Sequence, residues 1–545
     1  MQNYSLITQP WIKIKFKQGN TKEISLQDLF KQIDNIQSLD GDMATQNLAI
    51  FRLILALVTT VYQRVNSQGQ KYNYLQEDPD FIDIDSAKDE LLTTWQNLYQ
   101  SHDFSQVLVY LAKHQNEFNF INDKKPFYQV TKTFFDAHAT STSDHCLKSK
   151  SGTGIVSNSL LNRQICQSNN SLVTYAPVGN LEKNDLSFTS FIRWIIAYQS
   201  FTSASDKNKL KGKKYSKSTG YLYSINPVFV KGSDFVNTLL LNLVLFNDSD
   251  ELPKPQPIWE QTSDQILHKA LANYVPDNIP ELYTWPARFL FISPDLKVLP
   301  LGLPKIDTSN LFVEPMTTWH YAKKTSSFLP STYRKETMNV AMWRNFGEYV
   351  NTNSADLHNP GIVSWIHLLE DKSILPLDFK LNLQTAALIK DGNPSSQMPI
   401  FELHDNLALN SSVVFGPNGV KWQTIIENII DQTQKASNHL YGFGKNIESL
   451  RHLENSSFAG TLKAEFYRKL NKPFRAWLNQ LDSKRDATSQ IQAWQAQCYD
   501  IAKAVINNVI QTSTLHDYIL DANGHNIFNY QAMVLAKIKK DLSLN

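Results

Sequence analysis

"LAIFRLILALVTTVY", residues 48–62, is the most apolar stretch of the chain, and a single arginine, Arg52, stands inside it. The stretch is shorter than the roughly 20 residues that span a bilayer, and a charge sits within it. It therefore reads as a buried helix of a large globular core. The totals agree. The 545 residues are 42% hydrophobic and 11% aromatic, and Asn, Gln and Ser do not gather into one low-complexity tract. Length alone leaves room for several domains. Lys and Arg number 53 against 51 Asp and Glu, so attraction to a polyanion has to come from local clustering. The opening "MQNYSLITQPWIKIKF" has no basic region followed by an apolar core and does not read as a signal peptide. Cys146, Cys166 and Cys498 are far apart and odd in number, which excludes a CxxC zinc pair and disfavours a secreted disulfide framework. A cytoplasmic location is the expectation.

Upstream of the apolar stretch, Ile12, Ile14 and Phe16 alternate with lysines, turn at Gly19 and resume at Ile24, which predicts a β-hairpin leading into a helix. Downstream, "FTSFIRWIIAYQSF" and "FVNTLLLNLVLF" (235–246) have the apolar density of buried helices. "ARFLFI" reads as a strand in a mixed middle region. From about residue 410, apolar residues recur at steps of three and four: Phe466, Leu470, Phe474, Trp477 and Leu481, then Ile491, Trp494, Cys498, Ile501, Val505 and Val509. The expected architecture is α+β: a mixed α/β N-terminal domain over 1–408, then an antiparallel four-helix bundle over 409–545.

Between the two apolar helices lies "DKNKLKGKKYSKSTG", residues 206–220, with six lysines and one aspartate. Lys207, Lys209, Lys211, Lys213, Lys214 and Lys217 could track a phosphate backbone, with Gly212 and Gly220 allowing close approach. The plainer account is a solvated surface loop. Catalytic signatures are missing: there is no HExxH, no GxxxxGK[ST], no GxSxG and no strand-linked GxGxxG. "YGFGKN" at 441–446 reads as a helix C-cap at Gly442 or Gly444. His404 and Asp405 form the dipeptide used by metal-dependent phosphohydrolases, but no convincing set of partner ligands accompanies them. Asp405 near a helix N-terminus, opening the bundle, is preferred. His138, His145 and Cys146 lack a fourth ligand and ordered spacing for zinc.

Several segments, in order along nearly the whole chain, together resemble the CasA family, the large subunits of type I-E CRISPR surveillance complexes (Cascade). They are "SLITQPWIKIKF", "EFNFINDKKPFYQV", the lysine stretch running into "YLYSINPVFVKGSDFVNTLLLNLV", then "PQPIWE", "EPMTTW" and "EFYRKLNKPFRAWL". The resemblance implies a non-catalytic subunit without a cofactor, one copy per complex, which reads a protospacer-adjacent motif in duplex DNA from the minor groove. It further implies strand separation, R-loop formation and docking of a helicase-nuclease, in company with the crRNA-bearing backbone, small and guide-processing subunits. Target sequence would be read by guide pairing.

By the same resemblance, "GNPSSQMPIFELHDNL" carries a wedge glutamine at Gln397, flanked by Ser396 and Met398, with Ile400 and Glu402 at the family's offsets. A neutral side chain on a tight turn suits insertion between base pairs, where unstacking costs roughly a few kcal/mol. Minor-groove acceptors could take a hydrogen bond from Ser396, whereas Met398 could only pack. Lys305, in "LGLPKIDTSNLF", corresponds to a lysine finger in the groove. "CQSNNSLVTYAPVG" resembles a loop reaching the guide-RNA end, with Asn169, Asn170, Leu172, Val173, Thr174 and Tyr175 at its tip. The chain departs from the pattern twice: it lacks the four-cysteine zinc cluster of some relatives, and its glycine loop is rich in lysine. The rival classes are an HD-type phosphohydrolase using His404 and Asp405, and a scaffold that does not bind DNA.

Overall fold

The computed structural model describes residues 3–75, 83–149, 152–161, 185–203, 208–215, 218–247, 252, 254–350, 355–376, 378–392, 399–453 and 456–544. The fold is α+β, as expected, with small sheets among many helices. It divides into two compact units. The first comprises 1–339, 355–368 and 383–405; the second comprises 340–354, 369–382 and 406–545. No single cut in the chain separates them, because two segments before residue 383 belong to the bundle unit.

In the first unit the strands Ile12–Phe16 and Thr21–Ile24 pair antiparallel, with Ile12 opposite Ile24 and Ile14 opposite Lys22. Gly19 makes the turn at φ +96°, a conformation that side chains resist. Period-two alternation sends Ile12, Ile14 and Ile24 into the core and leaves Lys15 exposed. The apolar stretch becomes the helix Ala44–Tyr62. At 19 residues it is long and apolar enough to cross a membrane, more than the 15-residue stretch suggested, yet nearly all of it is buried inside the unit. Arg52, 2% exposed, donates to both carboxylate oxygens of Glu314, Nη1 to Oε1 at 3.0 Å and Nη2 to Oε2 at 2.7 Å. Glu314 Oε1 also accepts from the Met316 backbone N–H at 2.9 Å. The guanidinium lies 3.7 Å from the Tyr283 ring centroid and 5.7 Å from that of Tyr221. Burial pushes both phenols well up, so they stay neutral around the ion pair.

The run 235–246 is helical only over Phe235–Leu241. Asn242 stops it. Its Oδ1 accepts from the Val230 N–H at 2.9 Å and its Nδ2 donates to the Val230 and Thr238 carbonyls at 2.6 and 2.7 Å, tying the helix end to the strand Val228–Val230. "ARFLFI" forms the strand Arg288–Ile292, paired with Val298–Gly302.

The second unit contains the helices Gly419–Leu450, Phe458–Gln480, Ala487–Gln511 and Ile527–Asp541. Phe466, Leu470, Phe474, Trp494 and Cys498 are fully buried, as their spacing requires. Trp343 stacks on Phe474 at 4.0 Å, and Trp494 donates to the Thr433 hydroxyl at 3.0 Å. The C-cap expected at Gly442 or Gly444 is not there, because the first of these helices runs through both. A Cβ on Gly444 would meet the Ala459 Cα at 2.6 Å, so this glycine lets the helix Phe458–Gln480 approach closely, while Gly442 faces open space.

Two tests follow from this packing. Glu314→Gln strands Arg52 as a buried, half-compensated charge and should cost roughly 3–5 kcal/mol, read as a lower urea midpoint. Arg52→Met combined with Glu314→Leu should recover most of that loss. Gly444→Ala should lower the thermal midpoint by an overpacking cost of about 1–3 kcal/mol. Gly442→Ala, two residues away, should raise stability by up to about 1 kcal/mol.

Candidate nucleic-acid interface

Residues 208–215 of the lysine stretch form a pinned ribbon rather than a free loop. Asn208 and Leu210 point inward, both nearly fully buried, while Lys209 and Lys211 are exposed. Asn208 bridges to Leu301, and Leu210 pairs antiparallel with Ala139 and packs in an apolar cluster with Phe135, Leu299 and Leu301. Asn208 Nδ2 donates to the Gly154 and Pro300 carbonyls at 2.9 and 3.1 Å. Tyr215 accepts from the Leu210 N–H at 3.2 Å and donates to the Gly302 carbonyl at 2.8 Å. The buried Arg288 donates to the Ser203 carbonyl at 3.0 Å and the Ser218 carbonyl at 2.9 Å, so one side chain holds both ends of segment 204–217.

The individual lysines differ. Lys211 Nζ donates to the Asp136 and Ala137 carbonyls at 2.9 and 3.3 Å, against the last turn of the helix Lys132–His138, where a cation is favourable. Lys209, Lys213 and Lys214 are exposed and have no ion pair among the described residues. Gly212 is exposed, at φ +64°, with open space where a side chain would stand. Gly220 is buried; a Cβ there would lie 2.2 Å from the Ser200 carbonyl oxygen, so its lack of a side chain is demanded by the chain's own packing. Lys207 and Lys217 lie outside the described residues.

The end of the ribbon, Ser218 and Thr219, lines a small cleft together with Tyr221, Ser224, Thr308 and the exposed Lys305. The C-terminal end of the lysine stretch and Lys305 thus border one cleft, though none of the described ribbon lysines lines it. The wedge segment joins the strands Lys380–Lys390 and Pro399–Asn410, neighbours in a three-stranded sheet completed by Val228–Val230. Gln397, Ser396 and Met398 lie outside the described residues, as do Asn169, Asn170, Leu172, Val173, Thr174 and Tyr175. The flanks of the wedge segment are described. Gly392 turns at φ +81°, and Glu402 accepts from the Thr45 N–H at 2.8 Å and the Thr45 hydroxyl at 2.6 Å. Thr45 is in the first turn of the buried helix, whose free amides and positive end suit a carboxylate. Glu402 therefore ties the strand leaving the wedge segment to the core. In sequence it marks only an offset.

Lys390 is a residue that no motif singled out. It ends the strand entering the wedge segment, with its ammonium 4.8 Å from the Tyr223 ring centroid.

His404 and Asp405 lie within the strand Pro399–Asn410 and not at a helix N-terminus, which corrects the expectation for Asp405. The alternating apolar residues Leu403, Leu407 and Leu409 are buried along this strand, so the segment follows period two and the bundle begins later. Among the described residues no group of three or more His, Cys, Asp or Glu side chains could hold a metal ion.

A comparison with curated protein sequences finds no match. Solved structures do match over the full length. The crystal structure of Cse1 from Thermobifida fusca superposes with a TM-score of 0.76 at 20% identity, covering 99% of this chain and 98% of that one. Thermus thermophilus CasA (Cse1) gives 0.67 at 14% identity, covering all of both chains. A chain of a structure described as a CRISPR RNA-guided surveillance complex gives 0.63 at 13% identity, covering 99% of each. The family model for CRISPR-associated protein Cse1 matches residues 5–505, and the chain belongs to that family, the one its motifs resemble under the name CasA.

Proposed function

We propose that this chain is the large subunit of a type I-E RNA-guided CRISPR surveillance complex, present once per complex. In this reading it recognises the protospacer-adjacent motif in duplex DNA, starts strand separation and R-loop formation, and offers a docking surface to the helicase-nuclease of antiviral defence. The observation that carries the reading is the lysine ribbon: its apolar and amide side chains are anchored in the core, and Lys209, Lys213 and Lys214 are held out to solvent without counter-ions among the described residues. Anchoring lowers the ordering cost of meeting a polyanion, and each phosphate neutralised releases counter-ions.

The division of labour follows from chemistry. Lys207, Lys209, Lys213, Lys214 and Lys217 grip the phosphate backbone, while Lys211 also braces the ribbon against the Lys132–His138 helix. Gln397 enters the base stack from the minor groove, with Ser396, Met398 and Lys305 beside it. The segment with Asn169, Asn170 and Leu172–Tyr175 meets the guide-RNA end. No bond is made or broken by this subunit, and the guide supplies target specificity. Membership of the Cse1 family and the full-length likeness to a chain of a surveillance complex support this reading.

The test uses the reconstituted complex and a duplex with a correctly flanked target. Lys213→Ala with Lys214→Ala should reduce the steepness of log affinity against log salt by roughly 0.9 per lysine. Gln397→Ala should leave that slope unchanged and slow R-loop opening by about tenfold or more, the loss of a stabilised unstacked step. If both variants bind and open the duplex as the wild type does, the function is not duplex recognition.

A further inference from the structure

In the second unit the short 3-10 helix Met342–Asn345 lies against one stripe of the helix Phe458–Gln480. Trp343 Nε1 donates to Asn471 Oδ1 at 2.9 Å, and the Arg344 guanidinium lies 3.9 Å from the Tyr467 ring centroid. Tyr467 is fixed in turn, its hydroxyl 2.8 Å from that of Ser437. One turn before Tyr467 on the same helix, Lys463 Nζ donates to Asn438 Oδ1 at 2.8 Å, and Asn438 follows Ser437 in the chain. Residues four apart on a helix are neighbours, so Arg344 and Lys463 stand beside the same half-exposed tyrosine. Both cations are half-buried, and neither has an ion pair among the described residues; Arg344 Nε is buried and meets no acceptor. The one carboxylate of the helix, Glu465, is 3.3 Å from Lys469 and 3.9 Å from Arg468. Burial pulls Arg344 down, opposed only by Tyr467, and burial followed by the charge on Arg344 pulls Lys463 down. A ring face steadies a cation without neutralising it. The surplus is local: Phe458–Gln480 carries five Lys and Arg against one Glu, whereas Gly419–Leu450, packed on it, carries three of each sign. One carboxylate of a neighbouring protein answers one cation, but a polyanion answers such a surplus over a whole helix.

We propose that Arg344 and Lys463 form a phosphate seat on the bundle unit, taking a phosphodiester of a DNA strand. The seat uses none of the residues of the lysine ribbon and rests on the function proposed above only for the identity of the polyanion. The guanidinium presents a planar fork that two oxyanion oxygens accept from, and the ammonium adds a point charge beside it. With Tyr467 and Asn438 already holding the two heads, little side-chain freedom is lost when the anion arrives. An oxyanion between two like charges turns their repulsion into two attractions. No base edge is read, so the contact is independent of DNA sequence.

The experiment measures the affinity of the reconstituted complex, across a potassium chloride series, for a non-complementary oligo-dT strand and for a correctly flanked duplex. Arg344→Met and Lys463→Met keep the apolar stems and remove the charges. Each should make the log–log salt slope shallower, by about 0.7 on the single strand or about 0.9 on the duplex, and the probe that responds tells which form of DNA is held. Arg344→Lys and Lys463→Arg should restore the slope. Slopes unchanged on both probes overturn the proposal. So does a loss equal at every salt concentration, which marks a packing role beside Tyr467. If the two Met variants instead release a protein subunit from the complex on gel filtration while the DNA slopes of the assembled fraction stay as in the wild type, the seat belongs to an acidic protein surface and the DNA contact is overturned. Saturable binding of inorganic phosphate that both Met variants remove, alongside unchanged DNA slopes, overturns it in favour of a free anion. The Lys213, Lys214 and Gln397 variants separate this seat from the underlying function: if they leave duplex binding and opening intact while Arg344→Met flattens the slope, the seat stands and the duplex-recognition reading falls, and the reverse result sinks the seat alone.

Discussion

A buried arginine in the most apolar helix of the chain constrains everything around it. Arg52 cannot be left unpaired in that environment, and Glu314 is the carboxylate that meets it, with two hydrogen bonds from the guanidinium and a third from the Met316 backbone. The pair joins positions 262 residues apart and so ties the helix Ala44–Tyr62 to the segment after the Val298–Gly302 strand. Tyr283 and Tyr221 complete the enclosure with ring faces rather than further charges. Such a pair contributes little net stability compared with an apolar substitute, but it tolerates few alternative arrangements, which is its structural value.

The same helix organises the candidate interface. Its first turn receives Glu402, and Glu402 fixes the strand that leaves the wedge segment. Tyr221, against the Arg52 side chain, lines the cleft shared by Lys305 and the end of the lysine ribbon. A core device and a surface device thus share residues, and this gives the described flanks of the wedge segment a rigid base. Arg288 works in the same way from below the ribbon, spending its donors on the carbonyls of Ser203 and Ser218.

Charge placement explains how a chain of net charge +2 can face a polyanion. Several buried or half-buried cations elsewhere are held by carboxylates: Arg64 with Glu260, Arg193 with Glu23, Lys269 with Glu281, Arg451 with Asp517. Lys209, Lys213 and Lys214 have no such carboxylate among the described residues and lie close together in sequence. A polyelectrolyte responds to that local excess, since beyond about a Debye length the rest of the protein is screened.

Periodicity made the hairpin at Gly19, the buried helices, the strand from Arg288 and the four-helix bundle legible in the sequence, because each buries one face and the spacing of apolar residues records that face. The class α+β and the family likeness were legible too. Pairing across long separations was not. Nothing local tells Arg52 that Glu314 is its partner, or shows that Gly444 serves a close helix approach rather than a cap. Asp405 reads as a helix start because dipeptides carry no face, and only the alternation of Leu403, Leu407 and Leu409 against the core assigns it to a strand. Lys390 was invisible for a related reason: a lysine at the end of a strand is unremarkable until folding sets it over the Tyr223 ring. Composition and spacing determine which segments are buried and in what form, since transfer from water is a property of each side chain. Which charges face one another, and which are left without partners, is decided only when distant segments pack, since a Coulomb interaction depends on distance in space and not along the chain.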